Sequence, residues 1–295
     1  MFNKILFATS ATSACDPAAR VAFALAQKHN SQLLIFHVLG VPTRGYSQEV
    51  VDVRTGEKVE ANDEYIAWVR EEIKVHYTKQ LETVPGTAIE VTVGIPHREI
   101  LRKARSESPD LLVMGGTTGD REQSVYKKVM VGSTLHRVAK AAFCPVLAVA
   151  RPAASFWGGF SSIVFGTDFS KAADAAFDYA FRTAKQIDGD LHLFHALDIG
   201  IPQLGGLVDQ DAIEKQIREA RQRIRGRYAA KMEGFKNYSI EVWEGIPYIE
   251  IVKFAREKQA DLIILAHHGQ PESPEDDRLS SIMEQVIVRA SCPVI

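Results

Sequence analysis

Cysteine is scarce in this chain, with three among 295 residues, and Cys15, Cys144 and Cys292 form neither a CxxC pair nor an even framework. That excludes a disulfide scaffold and points to a reducing compartment. Long apolar runs are missing too. None approaches the ~20 residues that span a bilayer, so no membrane-integral role is expected. The opening Met1-Phe-Asn-Lys-Ile-Leu-Phe holds no extended apolar leader, and a cytoplasmic location is the expectation. Nor does one sign of charge dominate: 35 Lys and Arg face 37 Asp and Glu, a net charge of −2. A global electrostatic grip on nucleic acid or on an anionic membrane is therefore not expected. What is present is 46% hydrophobic and 24% charged residues, the profile of a folded globular chain. At ~150 residues per domain, the length suggests two domains, each able to bury its own core.

The two halves prove to be one pattern written twice. Ile5-Leu-Phe-Ala-Thr-Ser reappears as Ile163-Val-Phe-Gly-Thr-Asp, and a shift of 158 residues keeps Asp16/Asp174, Phe23/Phe181, Phe36/Phe194 and His37/His195 in step. Later, Gly94-Ile-Pro matches Gly245-Ile-Pro at a shift of 151, and Cys144-Pro-Val matches Cys292-Pro-Val at 148. The period is far too long for a solenoid of 20–50 residues, so this is a tandem duplication of a complete domain. The expected boundaries are a first domain over 1–150, a linker over 151–160 where proline, glycine and small residues break the pattern, and a second domain over 161–295.

Within each copy, short β-branched runs alternate with helical periodicity. Lys4 to Ala8 reads as a strand, Pro17 to Lys28 as a helix, and Leu33 to Leu39 as a second strand. Asp16 before Pro17 is read as an N-cap, as is Ser170 in the second copy. A hairpin broken by Thr55-Gly56 is expected between Val50 and Val59, then one long amphipathic helix from about Asn62 to Leu81. Further strands are expected at Ala88 to Val93, Leu111 to Met114 and Val146 to Val149, with helices at Arg98 to Arg105 and Ser133 to Ala141. Strands that are apolar on both faces and alternate with helices imply an α/β fold with a parallel sheet covered by helices.

In open α/β sheets, ligands sit beyond the carboxyl ends of the strands, where the strand order reverses. After the fourth strand the first copy runs Met114-Gly115-Gly116-Thr-Thr-Gly119, and Gly132-Ser133-Thr134 then opens a helix. Glycines allow backbone N–H groups to approach an anion, and a helix N-terminus adds unpaired donors and the positive end of its dipole. The chemistry suits a polyphosphate. The bland alternative, that glycine merely turns the chain, carries equal weight on composition alone.

Taken together, Thr167-Asp-Phe-Ser170 at a strand end, His37-Val38 and His195-Ala196 closing the second strands, Gly-Ile-Pro before a helix, Asp110-Leu-Leu-Val-Met-Gly-Gly, Gly132-Ser133 and Cys-Pro-Val resemble the universal stress protein family. The resemblance covers essentially the whole chain apart from the linker and the segment from Val41 to Val84. It implies two tandem Rossmann-like domains, similar to the adenine nucleotide alpha hydrolase group, each with a five-stranded parallel sheet. It also implies that one polypeptide mimics the family's usual dimer, with the last strands, Val146 to Val149 and Pro293 to Ile295, between the halves. Pairing of two such chains into a homodimer stays open.

Nucleotide-binding members carry Gly-x-x-Gly, nine residues, then Gly with Ser or Thr, plus an Asp ending the first strand. Here Gly116, Gly119, Gly132 and Ser133 fit the glycine pattern, but twelve residues separate Gly119 from Gly132, and Ser10 stands in place of the Asp. The second copy reverses this: Asp168 is present, while Ala266-His-His-Gly269 lacks the first glycine and Ser280-Ser281 replace Gly-Ser. Losing a glycine where backbone must touch phosphate should cost more than losing one side-chain hydrogen bond of about 0.5–1.5 kcal/mol, or about 1.5–3 kcal/mol if charged. The first copy is thus the favoured site for ATP or a related adenine nucleotide, with Mg as its accompanying cation. The nucleoside is expected over Ala8, Thr9, Ser10 and Val38, and the phosphates over Met114, Gly115, Gly116, Gly119, Gly132, Ser133 and Thr134. Thr167, Asp168, Ser170, Ala196, Gly269, Ser280 and Ser281 form the weaker second-copy candidate.

Sharper readings give way to blander ones elsewhere. Asp168, His195 and Ser170 contain the types of a hydrolase triad, but no Gly-x-Ser-x-Gly elbow presents the serine, and packing is the expected role of both His37 and His195. His267-His268 with Asp276-Asp277 lacks the i, i+4 spacing of a helical metal site. The arginines between Arg218 and Arg227 read as a solvated helix face, with Glu214 positioned to pair with Arg218. No catalytic residue and no metal site are assigned, and no general base is evident near the phosphate loop. Two functions remain: a stress-response regulator that binds adenine nucleotide with little or no hydrolysis, or a scaffold for protein partners with neither pocket filled.

Overall fold

The computed structural model describes residues 2–41, 49–51, 58–116, 132–153, 156, 158–198, 210–266 and 281–295. The chain forms two compact units, Met1–Pro152 and Ala153–Ile295.

In the first unit, β1 (Lys4–Ala8), β2 (Gln32–Gly40), β5 (Ala88–Gly94), β6 (Leu111–Gly115) and β7 (Val146–Val149) form one parallel sheet ordered β5-β2-β1-β6-β7. The short hairpin β3 (Glu49–Val51) and β4 (Lys58–Glu60) is antiparallel, as the turn residues between them suggest. The helices are α1 (Asp16–His29), α2 (Asp63–His76), α3 (Thr78–Thr83), α4 (Pro96–Glu107) and α5 (Ser133–Ala141). From β1 the chain steps through β2 to β5 on one side, then crosses back to β6 and β7 on the other. With right-handed crossovers, α1–α3 cover one face and α4–α5 the other, and the order reverses between β1 and β6. Phe7, Ile35, Leu112 and Val113 are fully buried between these layers.

The second unit repeats the design with β8 (Ser162–Gly166), β9 (Asp190–Leu197), β10 (Tyr238–Glu244) and β11 (Leu262–Ile264), ordered β10-β9-β8-β11 and parallel throughout. Its helices are α6 (Lys171–Ile187), α7 (Gln210–Arg227), α8 (Pro247–Glu257) and α9 (Ser281–Arg289). The sheet here departs from the five strands expected in each copy. The fifth position is reduced to a single parallel bridge between Ile263 and Val294, held by Ile263 N–H to Pro293 O at 3.0 Å and Ile295 N–H to Ile263 O at 2.8 Å. So short a pairing is a bridge and not a strand.

Two local expectations change. Asp16 does not cap α1: the helix starts on Asp16 itself, and the carboxylate accepts from His76 Nε2 at 2.9 Å instead. The single helix expected from Asn62 to Leu81 is two, divided at Tyr77, whose φ of −103° and ψ of 19° leave the helical region while its ring is fully buried. The break coincides with this inward-turned aromatic. Asn62 caps α2 through Tyr65 N–H at 2.8 Å, and Ser170 caps α6 through Ala173 N–H at 3.1 Å.

The shared Asp-Leu-hydrophobic motif before the fourth strand has a structural explanation. Asp110 accepts the N–H groups of Asn3 and Lys4 at 2.6 and 2.9 Å, and Asp261 accepts those of Ser161 and Ser162 at 2.7 and 3.2 Å. Each carboxylate ties down the residues that lead into the central strand.

Candidate functional site

The end of the central strand is built identically in both copies. Thr9 and Thr167 follow β1 and β8, and their N–H groups bond the carbonyls of Phe36 and Phe194 at 3.0 and 2.9 Å. Their own carbonyls accept from Nδ1–H of His37 and His195, both at 2.8 Å. Because a carbonyl can only accept, each ring carries its proton on Nδ1. Burial pushes His195 below its ordinary value, which favours the neutral ring. These histidines hold the ends of adjacent strands together, the packing role expected of them.

The threonine hydroxyls meet two residues that lie in none of the sequence motifs. Thr9 Oγ1 lies 2.8 Å from Tyr77 Oη, and Thr167 Oγ1 lies 2.8 Å from Tyr228 Oη. Both tyrosines are fully buried. Burial drives the Tyr77 hydroxyl far above its ordinary value, so it stays protonated. The repeat does carry a signal for them, since Tyr77 and Tyr228 stand 151 apart, the shift that also aligns Gly94 with Gly245. Beside each tyrosine runs a polar pair: Asp16 hydrogen-bonded to His76 at 2.9 Å, and Asp174 in an ion pair with Arg227 at 2.7 Å.

At the reversal point of the second sheet lies a cavity of about 180 Å³, at the carboxyl ends of β8, β9 and β11. Thr167, Asp168 and Ala196 line it, as do Ile251 of α8 and Met283 of α9. Apolar walls with a carboxylate among the lining residues suit a flat heterocycle carrying hydroxyl groups. Three of the second-copy candidates thus converge. Ser170 is elsewhere, its hydroxyl accepting from Ala173 N–H to cap α6. Asp168 Oδ1 accepts from Ser170 N–H at 2.9 Å. Gly269 and Ser280 lie outside the described residues, as do His267, His268, Asp276 and Asp277, and Ser281 begins α9.

In the first unit, Ala8 and Met114 are buried strand residues, Val38 is half-buried and Ser10 is exposed. Ser10 Oγ lies 2.9 Å from Thr12 Oγ1 and 3.2 Å from Cys15 Sγ. Gly132 N-caps α5, with Ser133 exposed and Thr134 half-buried in the first turn, and Gly132 N–H reaches Gly116 O at 3.4 Å. Packing alone demands glycine at 116. A Cβ there would lie 2.5 Å from Ala150 Cβ, and one on Gly115 would lie 3.2 Å from Cys15 Sγ. Gly119 lies outside the described residues.

Of the arginines on α7, Arg218 pairs with Glu214 at 3.5 Å, Arg221 with Glu241 at 3.3 Å, and Arg223 lies 4.2 Å from the Phe169 ring centroid. Cys292 is buried, with its thiol pushed up to about 12, and Cys144 is half-buried. Among the described residues no three metal-ligating side chains converge, and no helix is long and apolar enough to cross a membrane.

The family model for universal stress proteins matches residues 1–150 and again 159–295. The chain belongs to the universal stress protein family. Two consecutive matches make it the tandem form. A curated universal stress protein of Mycolicibacterium smegmatis is 25% identical over 306 residues, spanning 99% of this chain and 95% of that protein. One from Methanocaldococcus jannaschii is 31% identical over 141 residues, 46% of this chain and 81% of its own length. The crystal structure of a universal stress protein from Archaeoglobus fulgidus superposes with a TM-score of 0.63 at 19% identity, covering 99% of this chain and 94% of that one, which shows the shared fold. In this tandem universal stress protein, the cavity beyond β8 therefore sits at the place where open α/β folds take their ligands.

Proposed function

We propose that this universal stress protein is a stress-response regulator that holds ATP or a related adenine nucleotide beyond the carboxyl end of a sheet and turns it over little or not at all. The observation that carries the reading is the second-unit cavity, where Asp168 and Ala196 stand at the reversal point between apolar side chains of α8 and α9. There the nucleoside would lie against Ala196 and Ile251, with Asp168 accepting hydrogen bonds from its hydroxyls. A nucleotide bound with Mg would bring its own cation, since no carboxylate cluster awaits one among the described residues.

The first unit offers a second reading, favoured by Gly132, Ser133 and Thr134 at the start of α5, a nine-residue helix whose N-terminal N–H groups have no side-chain cap. On this reading Thr9, Ser10 and Val38 take the nucleoside, and Met114, Gly115, Gly116 and Gly119 flank the phosphates.

Calorimetry of Mg-ATP against the full chain separates the two. Ala196→Phe fills the second cavity, and Ser133→Asp places a negative charge at the exposed start of α5. Loss of binding in Ala196→Phe alone supports the second unit, and loss in Ser133→Asp alone supports the first. An absence of heat from the unaltered protein at saturating ATP overturns nucleotide binding and leaves the scaffold for protein partners.

A further inference from the structure

The amino ends of β6 and β7, at the far end of the first sheet from its glycine-bearing loops, carry a feature that the second copy lacks. In the turn before β7, the Phe143 ring is 82% exposed. A single exposed ring is ordinary on a protein surface. This one borders a cavity of about 260 Å³ whose other walls are Leu101, Ala104 and Arg105 of α4, Pro109 ahead of β6, and Cys144. Leu101 and Ala104 are buried and supply an apolar floor. The Arg105 guanidinium stands over the Phe143 ring, 5.1 Å from its centroid. Among the described residues Arg105 has no carboxylate partner, although two acids lie close by in the chain. Glu107 pairs with Lys4 at 3.1 Å, and Asp110 accepts the N–H groups of Asn3 and Lys4.

The second copy shows what has changed. Both α4 and α8 are followed by a left-handed residue, Ser108 with a φ of +46° and Gln259 with a φ of +48°, so the backbones match and the side chains make the difference. Arg256 stands at the shift of 151 from Arg105 and donates to Arg289 O at 3.4 Å, at the end of α9. In the first copy Arg105 turns to Phe143 instead, a residue replaced by Ser291 at the shift of 148. Cys292 is buried where Cys144 is half-buried. The first unit thus combines a ring, a more open turn and a guanidinium that no acid of its own neutralises.

We propose that this cavity is a ligand site, specific to the first unit, for a small aromatic carboxylate. The ligand ring lies against Leu101, Ala104 and Pro109 beside Phe143, and its carboxylate meets the Arg105 guanidinium. A planar guanidinium can pair with a carboxylate through two parallel N–H bonds while its face stays on an aromatic ring. The site is separate from adenine nucleotide binding, since its residues stand at the amino ends of the strands and the nucleotide candidates at the carboxyl ends.

Amide NMR titration of the full chain with 3-phenylpropanoate tests it, with 3-phenylpropan-1-ol as the neutral counterpart. Saturable shifts should centre on Ser108, Phe143 and Cys144, and the acid should bind at least threefold more tightly than the alcohol, the scale of a partly exposed ion pair. Arg105→Gln should remove that preference. Phe143→Ser, which makes the turn like that of the other copy, should weaken binding of both compounds more than threefold. Both positions are exposed, so the fold survives either change. Ala196→Phe, which fills the second-unit cavity, should leave the titration unchanged. No saturable shifts at these amides, equal affinities for acid and alcohol, a preference that survives Arg105→Gln, or unchanged binding in Phe143→Ser would each overturn the proposal, as would loss of binding in Ala196→Phe.

Discussion

The hydroxyls of Thr9 and Tyr77 meet at 2.8 Å inside the first unit, although 68 residues separate them in the chain. Their counterparts Thr167 and Tyr228 meet at the same distance. In each copy this contact joins the end of the central strand to the turn that closes the helix packed against it. The threonine oxygen also accepts a backbone N–H two residues on, so the bond fixes the path of the loop beyond the strand.

Removing either tyrosine hydroxyl should therefore loosen one unit and not the other. Tyr77→Phe deletes a buried hydrogen bond and leaves Thr9 Oγ1 with one partner fewer, at a cost of about 1–2 kcal/mol. Tyr228→Phe should cost a similar amount. Denaturant unfolding of the full chain should show a lower midpoint for the first variant in the transition of the first unit, and hydrogen exchange should assign the loss to β1 and α2. No shift in midpoint in either variant would refute the structural role of the pair.

The ion pair between Asp174 and Arg227 predicts an acid-dependent difference. Hydrogen bonding from Arg227 holds the Asp174 carboxyl below its ordinary value of 3.8. A depressed folded-state value means that the ionised carboxylate stabilises the fold above the unfolded value, and that this contribution disappears as pH falls through the folded one. Arg227→Gln should lower the unfolding midpoint by a constant amount between about pH 5 and 7, and the gap from the unaltered protein should close as pH falls below 3.8. The side chains are about one-third exposed, so water screens the pair and the gap should stay under about 1 kcal/mol. Thermal melts across that pH range would detect it, and a gap that widened in acid would contradict the assignment.

Glycine substitutions separate packing from backbone freedom. At Gly116 a Cβ would meet Ala150 Cβ at 2.5 Å and its backbone Cα at 2.7 Å, so Gly116→Ala must displace main chain and should destabilise by about 1–3 kcal/mol. At Gly226, within α7, a Cβ would meet nothing within 4 Å, and Gly226→Ala should stabilise by about 0.5 kcal/mol through helix propensity. Urea midpoints of the two variants should move in opposite directions.

Much of the fold is legible in the sequence because its signal is local and is written twice. The helix Ser133–Ala141 and the strand Val146–Val149 fall where periodicity puts them, and the expected hairpin has its antiparallel strands at Glu49–Val51 and Lys58–Glu60. Asp16 reads as a cap because an acidic residue before proline has that local signature, while its actual partner, His76, lies 60 residues away. The break at Tyr77 escapes the sequence for the same kind of reason. Helical periodicity continues through it, and only the buried bond to Thr9 shows why the chain turns there. The second sheet falls short of five strands because an apolar Pro-Val-Ile run marks a strand's place but not the length over which it pairs.

The amino-acid sequence by itself determined that this is a duplicated α/β protein, because hydrophobic period, turn residues and repeat spacing are properties of neighbouring residues, and its motifs carried the resemblance to the universal stress protein family. It also recorded Tyr77 and Tyr228 at the spacing of the repeat, though not what they touch. Only the tertiary structure decided that, by bringing the end of β1, the end of β2 and one face of α2 around a single point. A buried contact is a property of surfaces that meet from distant parts of the chain, and whether Thr9 and Tyr77 touch depends on where the strand ends and the helix turns.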